Sequence, residues 1–464
     1  MLRTVLLSAL LGLPSLAHAD DLRLVLNDPS GRPAPMDSCD VELCTSLVET
    51  IDKATERVDY AFYGLRGQTA ILDALRRARA RGVQVRGVVD MDVGNENYYD
   101  DTAELMALAD PIVTDHAVDY AKSRSRKDFR GSAFQCDRPI GFAGPLQCLA
   151  MDLGNNTCWV GAHVSREEIE FKGDIMHNKF VIVDQRYVWT GSTNASDSGT
   201  GGYNANLVTL VDSPTVAGWY TSELEQMLAG KFHDTKTKQG PMRTRLSDDV
   251  SVQVLFSPQH KPISKAVRPL VQSARESIDI AVFFLTHKHL AQDLIDAKAR
   301  GVKVRVIIDA TAAKNGYTKH EILRAAGIPV KVEDWGGKMH AKSAVVDGEY
   351  IITGSMNWTS AGENGNDENT IIVRSKTHAA QYAKWFEQLW GAIDDRWLTD
   401  RPDPESKDSG RACMDGSDND FDHKADKEDE GCSVNPPPLP ALPQGKVMPK
   451  PDEGCRLTAF ADPE

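Results

Sequence analysis

Two stretches of this chain follow one formula, H-x-K-x4-D-x6-G-S-x-N, and that duplication limits the folds open to it. The first copy supplies His177, Lys179, Asp184, Ser192 and Asn194, and the second supplies His340, Lys342, Asp347, Ser355 and Asn357. Their surroundings repeat too. Val58-Asp59-Tyr60-Ala61 is echoed by Ile278-Asp279-Ile280-Ala281, and Ala80-Arg81-Gly82-Val83 by Ala299-Arg300-Gly301-Val302. A fixed internal repeat is read as one structural unit made twice. Each unit predicts an apolar strand, an amphipathic helix and a second strand ending in Asp90 or Asp309. The helices carry Ile71, Leu72, Leu75 and Ala78 in one copy and Leu290, Leu294, Ile295 and Ala297 in the other. Gly82 and Gly301 stand where a helix would close in a left-handed cap. Strands alternating with helices predict an α/β fold of two similar repeats, 20–245 and 246–400.

The copies differ mainly in the stretch between the second strand and the histidine, which is far longer in copy one. The excess is placed near 93–168 and contains Cys136, Cys148 and Cys158. Such an excursion either shapes access to a site or decorates the surface. Arg3, the apolar run Val5 to Leu16 and Ala17-His18-Ala19 read as a signal peptide over 1–19. That run is shorter than the about 20 residues that span a bilayer, so no transmembrane segment is expected in the mature protein. The mature chain is expected to be secreted or periplasmic, where an even count of 8 cysteines suggests disulfides.

Residues 401–464 form an acidic tail, Pro-rich from Pro436 onward. Cys413 and Cys432 bracket an aspartate cluster and are expected to bond to each other. Asp415, Asp418, Asp420, Asp422 and Asp426 suit calcium, a hard cation that takes oxygen ligands. A solvated acidic linker is the other reading. The segment resembles the short aspartate-rich calcium repeats of exported proteins, although His423 stands where a related loop has glycine. The net charge of −14 gives no general field for attracting nucleic acid, and a local basic groove remains open.

An H-x-K on a strand places imidazole and ammonium on one face, because alternate residues share a side. Doubling it gathers two histidines, two lysines and the Ser and Asn donors around a tetrahedral anion. One histidine can attack phosphorus while the other protonates the leaving oxygen. The lysines and neutral donors would stabilise the equatorial oxygens. His287 and His289 read as exposed polar residues without a role.

The paired motifs resemble those of the phospholipase D superfamily, over most of residues 21–400. Asn357-Trp358-Thr359-Ser360 with Asp367-Glu368-Asn369 is similar to its bacterial nuclease and mitochondrial cardiolipin hydrolase subgroup. The resemblance implies two α/β halves around a central cleft and phosphodiester cleavage through a phosphohistidine. No cofactor is implied for catalysis. It also implies His177 as nucleophile, His340 as acid and then base, and phosphate held by Lys179, Lys342, Ser192, Ser355, Asn194 and Asn357. Asp184 and Asp347 belong to the motif with a structural part. Glu368 is the family's downstream acid, expected to orient His340. Its counterpart in copy one is read as Ala205, leaving Asp197 as a substitute beside His177. Phospholipid, met in transient contact with a membrane surface, is the expected substrate, and nucleic acid is the alternative.

Overall fold

The computed structural model describes residues 20–126, 128–130, 146–152, 157–163, 167–169, 171–314 and 317–433. The expected signal peptide, Cys136, Cys455 and the Pro-rich stretch lie outside the described residues, and so do the side chains of Cys148 and Cys158. No helix among the described residues is long and apolar enough to cross a membrane.

Each repeat builds one mixed sheet. The first has seven strands, and its centre runs from Leu207–Asp212 through Tyr187–Gly191, Phe180–Val183 and Arg57–Phe62 to Gln84–Val89. The second has eight, with Glu368–Arg374, Tyr350–Gly354, Lys342–Val346, Ser277–Val282 and Lys303–Ile308 in the corresponding order. The echoed aspartates belong to this framework. Asp59 stands opposite Arg86 across parallel strands, at 2.7 and 2.8 Å, and Asp279 opposite Arg305 at 2.8 and 2.9 Å. The predicted helices form as Thr69–Ala80 and Lys288–Ala299, and Gly82 and Gly301 follow them at φ of 83° and 94°.

Apolar side chains form three layers. Thr69–Ala80 covers the outer face of the first sheet, burying Ile71, Leu72 and Leu75. Lys288–Ala299 covers the second with Leu290 and Leu294. Between the sheets lie helices Pro214–Leu228 and Lys376–Ala392, capped by Ser213 and Ser375. Phe180, Tyr220, Phe256, Ile371, Tyr382 and Phe386 share this central core. Each such side chain contributes about 1.5–3 kcal/mol on burial. The halves are therefore joined by a common interior as well as by the peptide chain.

Ile112–Thr114 pairs in parallel with Gln84–Val89, as Val330–Val332 does with Lys303–Ile308. Residues up to 114 thus belong to the shared framework, and the excursion starts later than the 93 read from spacing. Its described elements are helix His116–Ser123 and two antiparallel pairs, Leu146–Asp152 with Thr157–His163 and Asp128–Arg130 with Glu167–Ile169.

Cys413 and Cys432 are bonded to each other, and Cys39 is bonded to Cys44. The tail up to residue 433 packs on both halves. The Tyr203 hydroxyl donates to Asp415, Lys314 pairs with Asp420, and the Lys338 ammonium meets the Asn419 carbonyl. This packing corrects the proposed calcium set. Asp415 turns to Tyr203 and to Asn419 Nδ2 at 3.0 Å, Asp426 turns to the Asp415 and Gly416 amides, and neither joins the carboxylates whose oxygens converge. The carboxylates that converge are Glu405, Asp418 and Asp420, and Asp420, Asp422 and Asp429.

Candidate active site

The histidine motifs meet because each half lends backbone to the other. The His177 amide donates to the Asp367 carbonyl at 2.9 Å, and the His340 amide to the Ala205 carbonyl at 3.0 Å. Behind each histidine, a strand-end carboxylate accepts the preceding amide. Asp90 takes Met176 at 2.8 Å and Asp309 takes Met339 at 3.1 Å.

Side chains exchange in the same way. Glu368 accepts His177 Nδ1–H at 2.9 Å to both oxygens, so the acid predicted to serve His340 serves the other half's histidine. His340 Nδ1 lies 3.2 Å from Asn206 Oδ1. Asn206, not Ala205, is the counterpart of Glu368. The Ser192 amide bonds to the Leu207 carbonyl as that of Ser355 does to Asn369, so copy one has one extra residue before this point. Asp197 is engaged with Arg66 at 2.8 Å and does not substitute.

The serines were expected to touch phosphate. Instead Ser192 Oγ donates to Asn206 at 2.8 Å and accepts the Leu207 amide, while Ser355 Oγ accepts the Asn369 amide at 3.0 Å. Ser355 also hydrogen-bonds Glu368. Each serine thus fixes the group that orients the opposite histidine. Asn194 Nδ2 donates to the Tyr99 hydroxyl at 2.9 Å, and the amide oxygens of Asn194 and Asn357 have no partner among the described residues. Lys179 and Lys342 are buried, and each ammonium donates to the carbonyl of its own histidine at 2.6 Å. Asp184 and Asp347 stand outside this group. Asp184 accepts the Thr55, Glu56 and Arg57 amides at 2.8–2.9 Å, and Asp347 those of Arg275, Glu276 and Ser277.

Sequence reasoning missed Tyr63 and Phe283. Their rings lie 5.5 and 5.1 Å from His177 and His340, and Lys179 and Lys342 sit 5.5 and 4.9 Å over them. Extending the echoed strands by two residues would have paired these aromatics. His287 is buried, contrary to expectation: it caps Lys288–Ala299 and meets Glu363 at 3.2 Å.

Burial, followed by the charges of the two lysines, holds both imidazoles well below their ordinary pKa. Burial also pushes Lys179 down to about 7, against Glu368 and Asp90, and pushes Glu368 up to about 8, against Lys179. Two buried histidines and two buried lysines that act on one another electrostatically suit an anion bound among them.

Residues 151–228 and 267–390 match the family described as cardiolipin synthase, PLD-like domain. The mitochondrial cardiolipin hydrolase of Xenopus laevis is 37% identical over 142 residues, 30% of this chain and 68% of that protein. A phospholipase D of Rickettsia bellii is 32% identical over 139 residues, 30% of this chain and 67% of that one. The chain spans 66% of the Xenopus tropicalis hydrolase and 50% of the human one. The phosphatidylserine synthase of Haemophilus influenzae Rd KW20 shares the fold, with a TM-score of 0.52 at 11% identity, over 82% of this chain and 89% of that one. With its paired motifs in two interlocked α/β halves, this chain belongs to the phospholipase D superfamily.

Proposed function

We propose that this chain is an exported phosphodiesterase that cleaves phospholipids through a phosphohistidine. The observation that carries the reading is the Glu368 carboxylate on His177 Nδ1. A proton held at Nδ1 leaves Nε2 with its lone pair, and the carboxylate offsets the imidazolium charge as the N–P bond forms. That makes His177 the nucleophile. His340, held by a neutral amide and protonated once the phosphodiester anion offsets the two lysine charges, gives its proton to the leaving alcohol and then takes one from the attacking water. Water displaces His177 and releases the phosphorylated product. Lys179, Lys342 and the asparagine amides stabilise the equatorial oxygens.

Two relatives are named for lipid hydrolysis, which supports a phospholipid substrate met at a membrane surface. One observation favours nucleic acid as a second reading. Tyr98 is 57% exposed and packs on Tyr63 and Tyr99, beside Arg66, and exposed aromatics next to a cation suit base stacking. Residues 1–19 would be removed on export to the periplasm or the medium. Calcium in the tail, on Glu405, Asp418, Asp420, Asp422 and Asp429, belongs to the proposal as a structural ion.

The test assays the mature protein on phosphatidylcholine, cardiolipin and single-stranded DNA, then quenches it in acid-free medium and maps the labelled residue. Lipid turnover with phosphate on His177 is expected. Cleavage of DNA alone, or label on His340, overturns the corresponding part.

A further inference from the structure

A second group of titratable side chains lies behind the His177 strand. Asp115 precedes helix His116–Ser123 and Asp119 follows one turn on, so their carboxylates share a helix face. His233 comes from the turn after helix Pro214–Leu228, in the left-handed region at φ of 52°. All three are fully buried. His233 Nε2 is 3.5 Å from Asp115 and 3.4 Å from Asp119, and its Nδ1 is 3.2 Å from Asp367. Charge-assisted hydrogen bonds run shorter, at about 2.7–2.9 Å. Neither ring nitrogen, and neither Asp119 oxygen, completes a hydrogen bond among the described residues.

Those separations suit a different occupant. The donor atoms of Asp115, Asp119 and His233 lie within 4.8 Å of one another. A tetrahedral zinc ion with bonds of about 2.0–2.1 Å holds its ligand atoms about 3.4 Å apart. We propose that Asp115, Asp119 and His233 bind a divalent transition-metal ion, zinc by preference, in a structural site. Asp367 facing Nδ1 completes the carboxylate–histidine–metal arrangement that fixes a ligating ring. Acidic side chains outnumber basic ones here, with Asp115, Asp119, Asp174, Asp367 and Glu223 around Lys122, Arg126 and Lys236. The site lies off the reaction path and braces it, because Asp115 also accepts the Met176 amide and the Asp367 carbonyl accepts that of His177.

The experiment uses the full mature chain, stripped with chelator, dialysed against zinc and then against metal-free buffer. Bound zinc is counted per chain, and the melting temperature is compared with and without the ion. One retained zinc and a higher melting temperature are expected, with both lost in Asp119→Asn. Cobalt in the wild type should give visible d–d bands distinct from those of the hydrated ion, which keeps the test open if that variant fails to fold. Zinc retained equally by wild type and a folded Asp119→Asn, or a wild type with neither bound zinc nor a cobalt spectrum, overturns the proposal. The pocket then holds only a proton, with His233 as an imidazolium clamped by three carboxylates.

Discussion

Glu368 and Asn206 occupy matching places, yet one is an acid and the other an amide, and in the proposed mechanism this difference divides the labour of the two histidines. Glu368→Gln removes the charge that offsets a phosphohistidine, so turnover should fall at least about 10²-fold, and a p-nitrophenyl ester should not restore it. His340→Asn should fall similarly on alkyl esters but recover with that leaving group, which needs no proton. Steady-state assays on both esters separate the cases. Asn206→Asp places a carboxylate on His340 and raises its pKa, so the alkaline limb of the rate profile should move to higher pH. An unmoved limb would mean that His340 is not the acid. Lys179 offers a further reading. Its folded pKa lies near 7, so its charge is present below that value and lost above it. Sulfate keeps its own charge across this range. Its inhibition should therefore weaken above pH 7, by up to about tenfold per unit, and should lose that slope in Lys179→Met.

At the scale of elements, the motif aspartates serve the strands that carry the histidines. Asp184, at the end of strand Phe180–Val183, ties that turn to the chain entering Arg57–Phe62, and Asp347 does the same for Lys342–Val346. Asp184→Ala should cost about 1–2 kcal/mol in urea unfolding, while folded protein stays active within a few-fold. Burial pulls the Asp184 carboxyl upward, but the Arg57, Thr55 and Glu56 amides hold it below its ordinary value. Its stabilisation is thus full above the unfolded carboxylate pKa and is lost as pH falls through the lowered folded one. The difference from wild type should shrink in strong acid. The two strand-helix-strand units are legible in the sequence, since apolar spacing and the paired motifs are local patterns. Glu368 is legible as an acid but not by its partner, because strands from opposite halves exchange it across the cleft. The extra residue before Leu207 hides Asn206 for a plainer reason, since it shifts the comparison of the copies by one. His233 carries no signal, since its neighbours Asp115, Asp119 and Asp367 are far from it along the chain.

For the molecule as a whole, the tail changes status. Its place in the sequence outside both repeats suggests that residues 401–464 could be deleted with hydrolysis largely intact. Yet residues 401–433 lie against both repeats, and their contacts fall beside the second motif. Lys338, two residues before His340, gives its ammonium to Asn419 and lies 4.9 Å over the Phe421 ring. Tyr203, whose neighbour Asn204 accepts the Lys338 amide at 2.8 Å, holds Asp415 from the first half. Removing the tail uncovers this junction and leaves Lys314 and Lys338 without their tail partners. A chain ending at 400 should therefore melt several degrees lower and show a raised KM, because the loop entering His340 loses its brace while His177 and Glu368 keep theirs. A chain ending at 433 retains every one of these contacts and should melt higher and show a lower KM than the chain ending at 400. Calcium should raise the melting temperature of the 433 form and leave the 400 form unmoved, since Glu405, Asp418, Asp420, Asp422 and Asp429 all lie between the two cuts. Equal melting temperatures and equal KM for the 400 and 433 forms would return the tail to a passive appendage. A calcium response in the 400 form would place the ion elsewhere in the protein.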